Sequence, residues 1–105
     1  MMKTEFKGTP GAWLATYDRG SSNWIIDVID DKEQLVASAI AGDKIESEAN
    51  ARLIAAAPEI LEALQNLVFL HGCEQEGIGS AMPTWGQWME AISKAEKAIN
   101  KALGR

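Results

Sequence analysis

The spacing of apolar residues changes once along this chain, and the change divides it into two parts. Between residues 12 and 41 apolar side chains recur at every second position, which is typical of β-strands. After Gly42 they recur every three or four positions, which is typical of amphipathic helices. This order predicts an α+β fold in which an N-terminal sheet precedes a group of helices.

Three short segments carry the strand pattern. The densest of them places Trp24, Ile26 and Val28 on one face and alternates Asp27 with apolar residues on the other, so the second face is expected to be only partly buried. Connections this short favour antiparallel neighbours. We therefore predict a three-stranded antiparallel meander over residues 12–41, with strands at Ala12–Tyr17, Trp24–Ile29 and Leu35–Ala41.

A pair of helices is predicted over residues 43–71. Asp43 and Glu46 have the spacing of a capping box, which indicates a helix start. Proline inside a helix removes a backbone hydrogen bond and costs about 3 kcal/mol. We therefore expect a kink or break at Pro58, with a new helix beginning there and ending before Gly72.

The third helix has the clearest amphipathic pattern in the chain. Residues 72–83 contain three glycines and a proline and are predicted to form a loop. Thr84 and Gln87 then form a second predicted capping box, and the helix is expected over residues 84–103. The apolar faces of the helices predict four core positions, Leu53, Leu64, Ile92 and Ile99.

Length and composition indicate one soluble domain over residues 1–105, with residues 1–11 as a polar lead. The apolar fraction of 47% and the charged fraction of 24% are ordinary for a globular protein. A single cysteine, Cys73, excludes an intramolecular disulfide and fits a reducing cytosol. No run approaches the length of a membrane span, and the N-terminus lacks the apolar core of a signal peptide. We expect a cytoplasmic protein that does not insert into membranes.

The net charge of −5 is unevenly distributed. Acidic residues dominate positions 27–48, whereas the end of the chain is basic, with Lys94, Lys97, Lys101 and Arg105. Three interpretations remain open: steering of a charged partner, head-to-tail contact between two copies, or a solvated rim with ordinary helix-dipole complementarity. The basic residues can follow a phosphate backbone, but the low pI of about 4.8 and the lack of any nucleic-acid-binding motif argue against that partner.

Candidate catalytic chemistry is confined to His71 and Cys73. A cysteine–histidine pair can activate a thiolate, but no third residue orients this imidazole, and a histidine near a helix end also has an ordinary role beside the helix dipole. Metal binding by this pair with Glu74 and Glu76 lacks the repeated thiolates or imidazoles of a structural site. We predict that the protein is not an enzyme, has no catalytic residues and binds no metal or cofactor.

Two segments resemble a known family. They are Thr9-Pro10-Gly11-Ala12-Trp13 near the start and, further along, Asn50-Ala51-Arg52-Leu53-Ile54-Ala55-Ala56-Ala57-Pro58-Glu59. Over roughly residues 6 to 70 the chain resembles the Ead/Ea-like early-region proteins of lambdoid phages. The resemblance implies an accessory gene of a phage or prophage and implies no particular activity.

Binding to another macromolecule fits the composition best. The chain has four tryptophans, a residue enriched at interfaces. We predict a partner-binding surface at Trp85, Trp88, Lys97 and Lys101, although a helical aromatic stripe also packs into cores.

Together with this composition, the resemblance implies a phage or prophage accessory protein that binds a host macromolecule, expected to be a host protein, and inhibits a host defence or regulatory protein. We also expect a homodimer formed through the last helix. The alternatives are an oligomer that sequesters a nucleotide or another small molecule and a nucleic-acid-binding regulator.

Overall fold

The computed structural model describes residues 6–16, 25–76 and 82–105, and its elements follow the predicted order. Three strands precede two helices: β1 (Leu14–Thr16), β2 (Ile25–Ile29), β3 (Leu35–Ile40), α1 (Lys44–Glu76) and α2 (Trp85–Leu103). The α+β class is confirmed, but with two helices where three were predicted. Tyr17 and Trp24, which the sequence placed in strands, lie outside the described residues.

The sheet is the predicted antiparallel meander in the order β1-β2-β3. Its β2–β3 turn is organised by Asp30, a buried residue whose Oδ1 accepts hydrogen bonds from the backbone N–H groups of Lys32 (2.9 Å) and Gln34 (2.8 Å). Glu33 completes the turn in the left-handed region, with φ of 62°. Aspartate is favoured in such turns because its short side chain can satisfy nearby backbone donors.

The two faces of the sheet have different environments. One face places Ile26 and Val28 against α1, and these side chains form a core with small residues of the sheet and helix: Ala15, Ala39, Ala51 and Ala55. On the other face Asp27 accepts a hydrogen bond from Ser38 Oγ at 2.8 Å. Ile25 and Asp27 on this face are half-buried, which confirms the partly buried second face predicted for the sheet.

The start of α1 is fixed to the end of β3 by two side chains. Asp43 Oδ1 accepts a hydrogen bond from the backbone N–H of Glu46 at 2.8 Å, which confirms Asp43 as the N-cap. Ser47 is fully buried, and its Oγ accepts the backbone N–H of Ala41 at 3.0 Å. These contacts orient α1 across the sheet.

The predicted break at Pro58 is wrong, because α1 continues through it without interruption. Buried alanines lie on both sides of the proline, with Ala55 and Ala56 before it and Ala63 after it. A break would remove one of these groups from its packing surface, so the burial offsets the cost of about 3 kcal/mol for an internal proline. Gly72 also lies inside the helix and does not end it, and residues 72–76 are helical where a loop was predicted.

The two helices form an antiparallel hairpin in which α2 packs chiefly against α1. The capping box at Thr84 is confirmed: its Oγ1 accepts the N–H of Gln87 at 3.1 Å, and Gln87 Oε1 accepts the N–H of Thr84 at 2.8 Å. Outside the core on the sheet, the buried apolar residues of the helices are all alanines, namely Ala56, Ala63, Ala91 and Ala98. Alanines at this contact let the helix axes approach closely.

The four predicted core positions are wrong. Their exposed fractions are 56% for Leu53, 55% for Leu64, 41% for Ile92 and 50% for Ile99. The apolar stripe on each helix is wider than the surface that one neighbouring helix can cover. The alanines lie along one edge of this stripe, and it is this edge that contacts the other helix. The large side chains are consequently left on the outside of the hairpin.

The molecule is elongated because the hairpin extends beyond the sheet. Its principal dimensions are 57 × 26 × 20 Å, and its radius of gyration is 16.9 Å. A compact domain of this length has a radius of gyration of about 13 Å. The far half of the hairpin therefore has no second layer of secondary structure from the described residues.

We predict that Pro58→Ala stabilises the protein by about 1–3 kcal/mol, because alanine supplies the missing N–H and relieves the clash with the preceding turn. Urea unfolding monitored by circular dichroism measures the change, with Pro10→Ala in the N-terminal lead as the matched control. A lower unfolding midpoint for Pro58→Ala would contradict the continuous helix.

Candidate functional site

One side of the hairpin is a groove between the two helices. We call it the polar groove, because most of the residues that line it are charged or polar. Ala63 and Ala98 lie in the groove, which has a volume of about 360 Å³. Its other lining residues are charged or polar and come from both helices: Glu59, Glu62, Asn66, Lys94, Lys97 and Lys101. The groove therefore joins an acidic strip of α1 to a basic strip of α2.

Lys101 is the central residue of this groove. Its Nζ donates a hydrogen bond to Glu59 Oε1 at 2.7 Å and another to the backbone carbonyl of Trp13 at 3.0 Å. These two bonds connect α2 to α1 and to the segment before β1. The other carboxylate oxygen of Glu59 is buried without a hydrogen-bond partner among the described residues, so Lys101 is the ammonium that compensates this carboxylate. Lys101 was predicted to contact a binding partner, but in the structure its ammonium group makes hydrogen bonds within the chain.

The other basic residues of α2 are arranged differently. Lys94 forms an ion pair with Glu90, with an N–O distance of 3.4 Å, whereas the Lys97 side chain is exposed. The row of cations that can follow a phosphate backbone is therefore partly engaged inside the chain, at Lys94 and Lys101.

The opposite side of the hairpin is apolar. Each residue of a helix is rotated by about 100° from the one before it, so a large side chain that follows a contact alanine lies about a third of a turn away from the contact. Both helices have this order, with Leu64 after Ala63 and Ile99 after Ala98. Because the helices are antiparallel, the same rotation in both brings their large apolar side chains to the same side of the hairpin. We call this surface the hairpin face, and it consists of Leu53, Ile60, Leu64, Leu67 and Val68 from α1 with Trp88, Ile92, Ile99 and Leu103 from α2.

A second apolar cluster lies at the end of the hairpin, where α2 begins. Trp85 is 79% exposed, and Met82 and Met89, three positions before it and four positions after it, are 42% and 45% exposed. We call these three residues the tip cluster. Trp88 is half-buried. The predicted site is thus divided, with its tryptophans on the apolar side and its lysines, Lys97 and Lys101, on the polar side.

The Thr-Pro-Gly-x-Trp segment has a structural role. Trp13 packs against the core of the sheet, its Nε1 donates to the Thr9 carbonyl at 3.2 Å, and its ring lies 6.4 Å from that of Phe6. Gly11 has φ of 86°, a conformation that side chains rarely adopt, which explains glycine at this position. The motif therefore fixes the lead onto the sheet.

His71 and Cys73 both lie on α1, two positions apart. Residues at this spacing point to nearly opposite sides of a helix, so they do not form a pair. Within residues 6–16, 25–76 and 82–105, no group of three or more histidines, cysteines or carboxylates can hold a metal ion. The side chains of Glu74 and Glu76 lie outside the described residues. The absence of enzymatic activity remains a prediction from the sequence.

Comparison with known proteins gives one result. The sequence matches the family described as Salmonella phage P22 protein Y8K6 over residues 2–105. The chain belongs to this family of phage proteins. Searches among curated proteins and among solved structures gave no match. The phage origin predicted from the sequence is confirmed, and the closer relationship to Ead/Ea-like proteins stays a prediction.

The sequence was expected to contain no segment of membrane-spanning length, but one helix among the described residues is long and apolar enough to cross a membrane. The segment is Lys44–Cys73, with a mean hydropathy of 1.5, and only 17% of its apolar window is buried within the chain. Core helices of soluble proteins also have this composition, but most of their surface is covered. Here the apolar side chains of α1 are largely uncovered.

We predict that Lys101→Met lowers the free energy of unfolding by about 1–2 kcal/mol, because the Glu59 carboxylate loses its ammonium partner at a partly solvated site. Lys97→Met is the matched control on the same helix and should change stability by less than about 0.5 kcal/mol. Thermal or urea unfolding compares the two variants. Equal effects would show that Lys101 does not connect the elements.

Proposed function

We propose that this phage protein is a non-catalytic accessory protein that binds a host protein through the tip cluster. Its place of action is the bacterial cytoplasm, and the consequence of binding is inhibition of a host defence or regulatory protein. Membership of a phage protein family supports the setting. The exposure of Trp85 supports the binding role, because tryptophan is the residue most enriched in binding hot spots.

The local structure holds Trp85 in place. It is the first residue of α2 and follows Thr84, whose capping box fixes the first helical turn. A side chain on an ordered helix end loses less conformational freedom on binding than one in a loop. An exposed indole with this support has the properties of a preformed anchor.

The two methionines fit the same role. Met82 and Met89 are unbranched and polarisable, so they can adapt to a partner surface around a rigid aromatic ring. Together with Trp85 they favour an apolar pocket or groove on the partner. The hydrogen bonds of Lys101 make a phosphate backbone a weaker alternative, because this lysine would have to leave the Glu59 carboxylate and the Trp13 carbonyl.

Site-specific photo-crosslinking tests this proposal. We replace Met89, which lies one helical turn from Trp85, with the photoreactive residue p-benzoylphenylalanine, irradiate host bacteria that express the protein, and analyse adducts by mass spectrometry. The matched control carries the same residue in place of Asn100, an exposed residue three turns further along α2. We expect a discrete host-protein adduct from position 89 that is absent from position 100.

A competing variant gives a second readout. Protein without the photoreactive residue, in excess, should suppress the adduct at position 89, whereas Trp85→Ala in the same excess should suppress it much less. Circular dichroism confirms that the variant keeps α2. Equal adducts from positions 89 and 100, or equal competition by Trp85→Ala, would contradict the proposal.

A further inference from the structure

The residues on the outer side of both helices follow a repeat of alternating three and four positions, in which most of the side chains are large and apolar. In α2 the repeat is Trp88, Ile92, Ala95, Ile99 and Ala102, and in α1 it is Leu53, Ala57, Ile60, Leu64, Leu67 and His71. This is the a and d pattern of helices whose apolar stripe faces the centre of a bundle. The two helices of one hairpin touch through the residues that immediately precede a positions, namely Ala56, Ala63, Ala91 and Ala98. The a and d positions themselves are therefore left for a contact outside the hairpin.

The two repeats are in register across the hairpin. Glu59 is paired with Lys101, and Asn66 lines the same groove as Lys94, so facing residues have numbers that add to about 160. Ile99 then lies level with Ile60, Ile92 with Leu67, and Ala95 with Leu64. Each level presents two apolar side chains to the same side, which is the arrangement of half of a four-helix bundle.

No element of the described chain covers this surface. The sheet packs on a different side of α1, through Ala51 and Ala55, and the polar groove lies on the opposite side of the hairpin. Six large side chains of the hairpin face are between 41% and 58% exposed: Leu53, Leu64, Val68, Ile92, Ile99 and Leu103. A protein that leaves such a surface in water loses the burial that normally stabilises an amphipathic helix.

The size of the hairpin face matches that of a dimer interface. The six half-exposed side chains contribute on the order of 100 Å² each and the three less exposed members add to this, so the apolar face presents on the order of 700 Å², before any polar rim is counted. Each partner in a stable interface of standard size contributes about 800 Å². The largest apolar patch of an ordinary monomer is about 300–600 Å².

We propose that a second copy of this chain covers the hairpin face, so that two hairpins form a two-fold symmetric four-helix bundle. A second copy fits because its face has the same length, the same levels and the same lack of charge. The charged residues that ring the contact between α1 and α2, including Lys94, Lys97 and Lys101, lie in the polar groove on the other side and remain in solvent. The proposal does not depend on the tip cluster binding a host protein.

A lipid bilayer is the alternative cover for so apolar a helix. Two sides of α1 are already occupied, one by the sheet and one by α2, and Glu59 and Glu62 lie in the middle of the apolar segment. Crossing a bilayer would bring these carboxylates to the centre of the membrane, where each is costly. The structure therefore favours a protein surface as the cover.

Sedimentation equilibrium of the full chain tests the proposal between about 1 and 100 µM, a range in which standard-size interfaces associate. We expect the mass to approach twice the 11.4 kDa of one chain. Leu64→Glu places a charge at the centre of the face and should raise the dissociation constant at least about a hundredfold, because the carboxylate would be buried without a partner. Ser93→Glu adds the same charge outside the face and should leave the dimer unchanged.

Thermal unfolding gives an independent readout. The unfolding temperature of a dimer rises with protein concentration, and this dependence should disappear in Leu64→Glu while its helical circular dichroism is kept. Ile92→Glu on the other helix should behave in the same way, which guards against a folding defect in one variant.

Three results would overturn the proposal. The first is a mass of 11.4 kDa at every concentration. The second is a dimer that survives both Leu64→Glu and Ile92→Glu. The third is a monomer that floats with vesicles of phosphatidylethanolamine and phosphatidylglycerol, and that loses this binding in Leu64→Glu, which would assign the face to a membrane.

Discussion

The contact between α1 and α2 through alanines determines the rest of this structure. Because Ala56, Ala63, Ala91 and Ala98 are buried at or near this contact, the helices approach closely and their larger apolar side chains are turned to one side. The same rotation turns the charged residues to the other side, where Lys101 reaches Glu59. The apolar hairpin face and the polar groove therefore both result from the contact between α1 and α2 through alanines.

The length of α1 links the sheet to the hairpin. Its first half covers the sheet and its second half packs against α2, so a single helix carries two packing surfaces on different sides. This arrangement explains why Pro58 is tolerated, since the helix must stay straight enough to hold both contacts. The third side of α1 is left apolar and uncovered, and this side gives the molecule its surface for association.

Features determined by neighbouring residues were predictable from the sequence. The strands, the N-cap at Asp43, the capping box at Thr84 and the limits of α2 all follow from local spacing, and the structure confirms them. The break at Pro58 was wrong because distant packing, absent from any local pattern, offsets the local cost. The partners of Lys101 lie 42 and 88 residues away, and no local signal identifies them.

The core positions failed for a different reason. Periodicity identifies an apolar stripe, but it does not say which edge of the stripe the chain itself covers. The signal that was missed is the seven-residue spacing of the alanines, Ala56 with Ala63 and Ala91 with Ala98, which marks the close contact. Leu64 and Ile99 belong to the remainder of the stripe, and the described chain does not supply their cover.

Disulfide formation between engineered cysteines tests this helix orientation most directly. In a Cys73→Ser background, Ala63→Cys with Ala98→Cys places two thiols in the contact that the alanines make, whereas Leu67→Cys with Ile92→Cys places two thiols at one level of the outer face. The structure predicts that mild oxidation of dilute protein gives an intramolecular disulfide in the first pair and little in the second. A disulfide that forms readily in the second pair and not in the first would show that the leucine and isoleucine side chains, and not the alanines, join the helices.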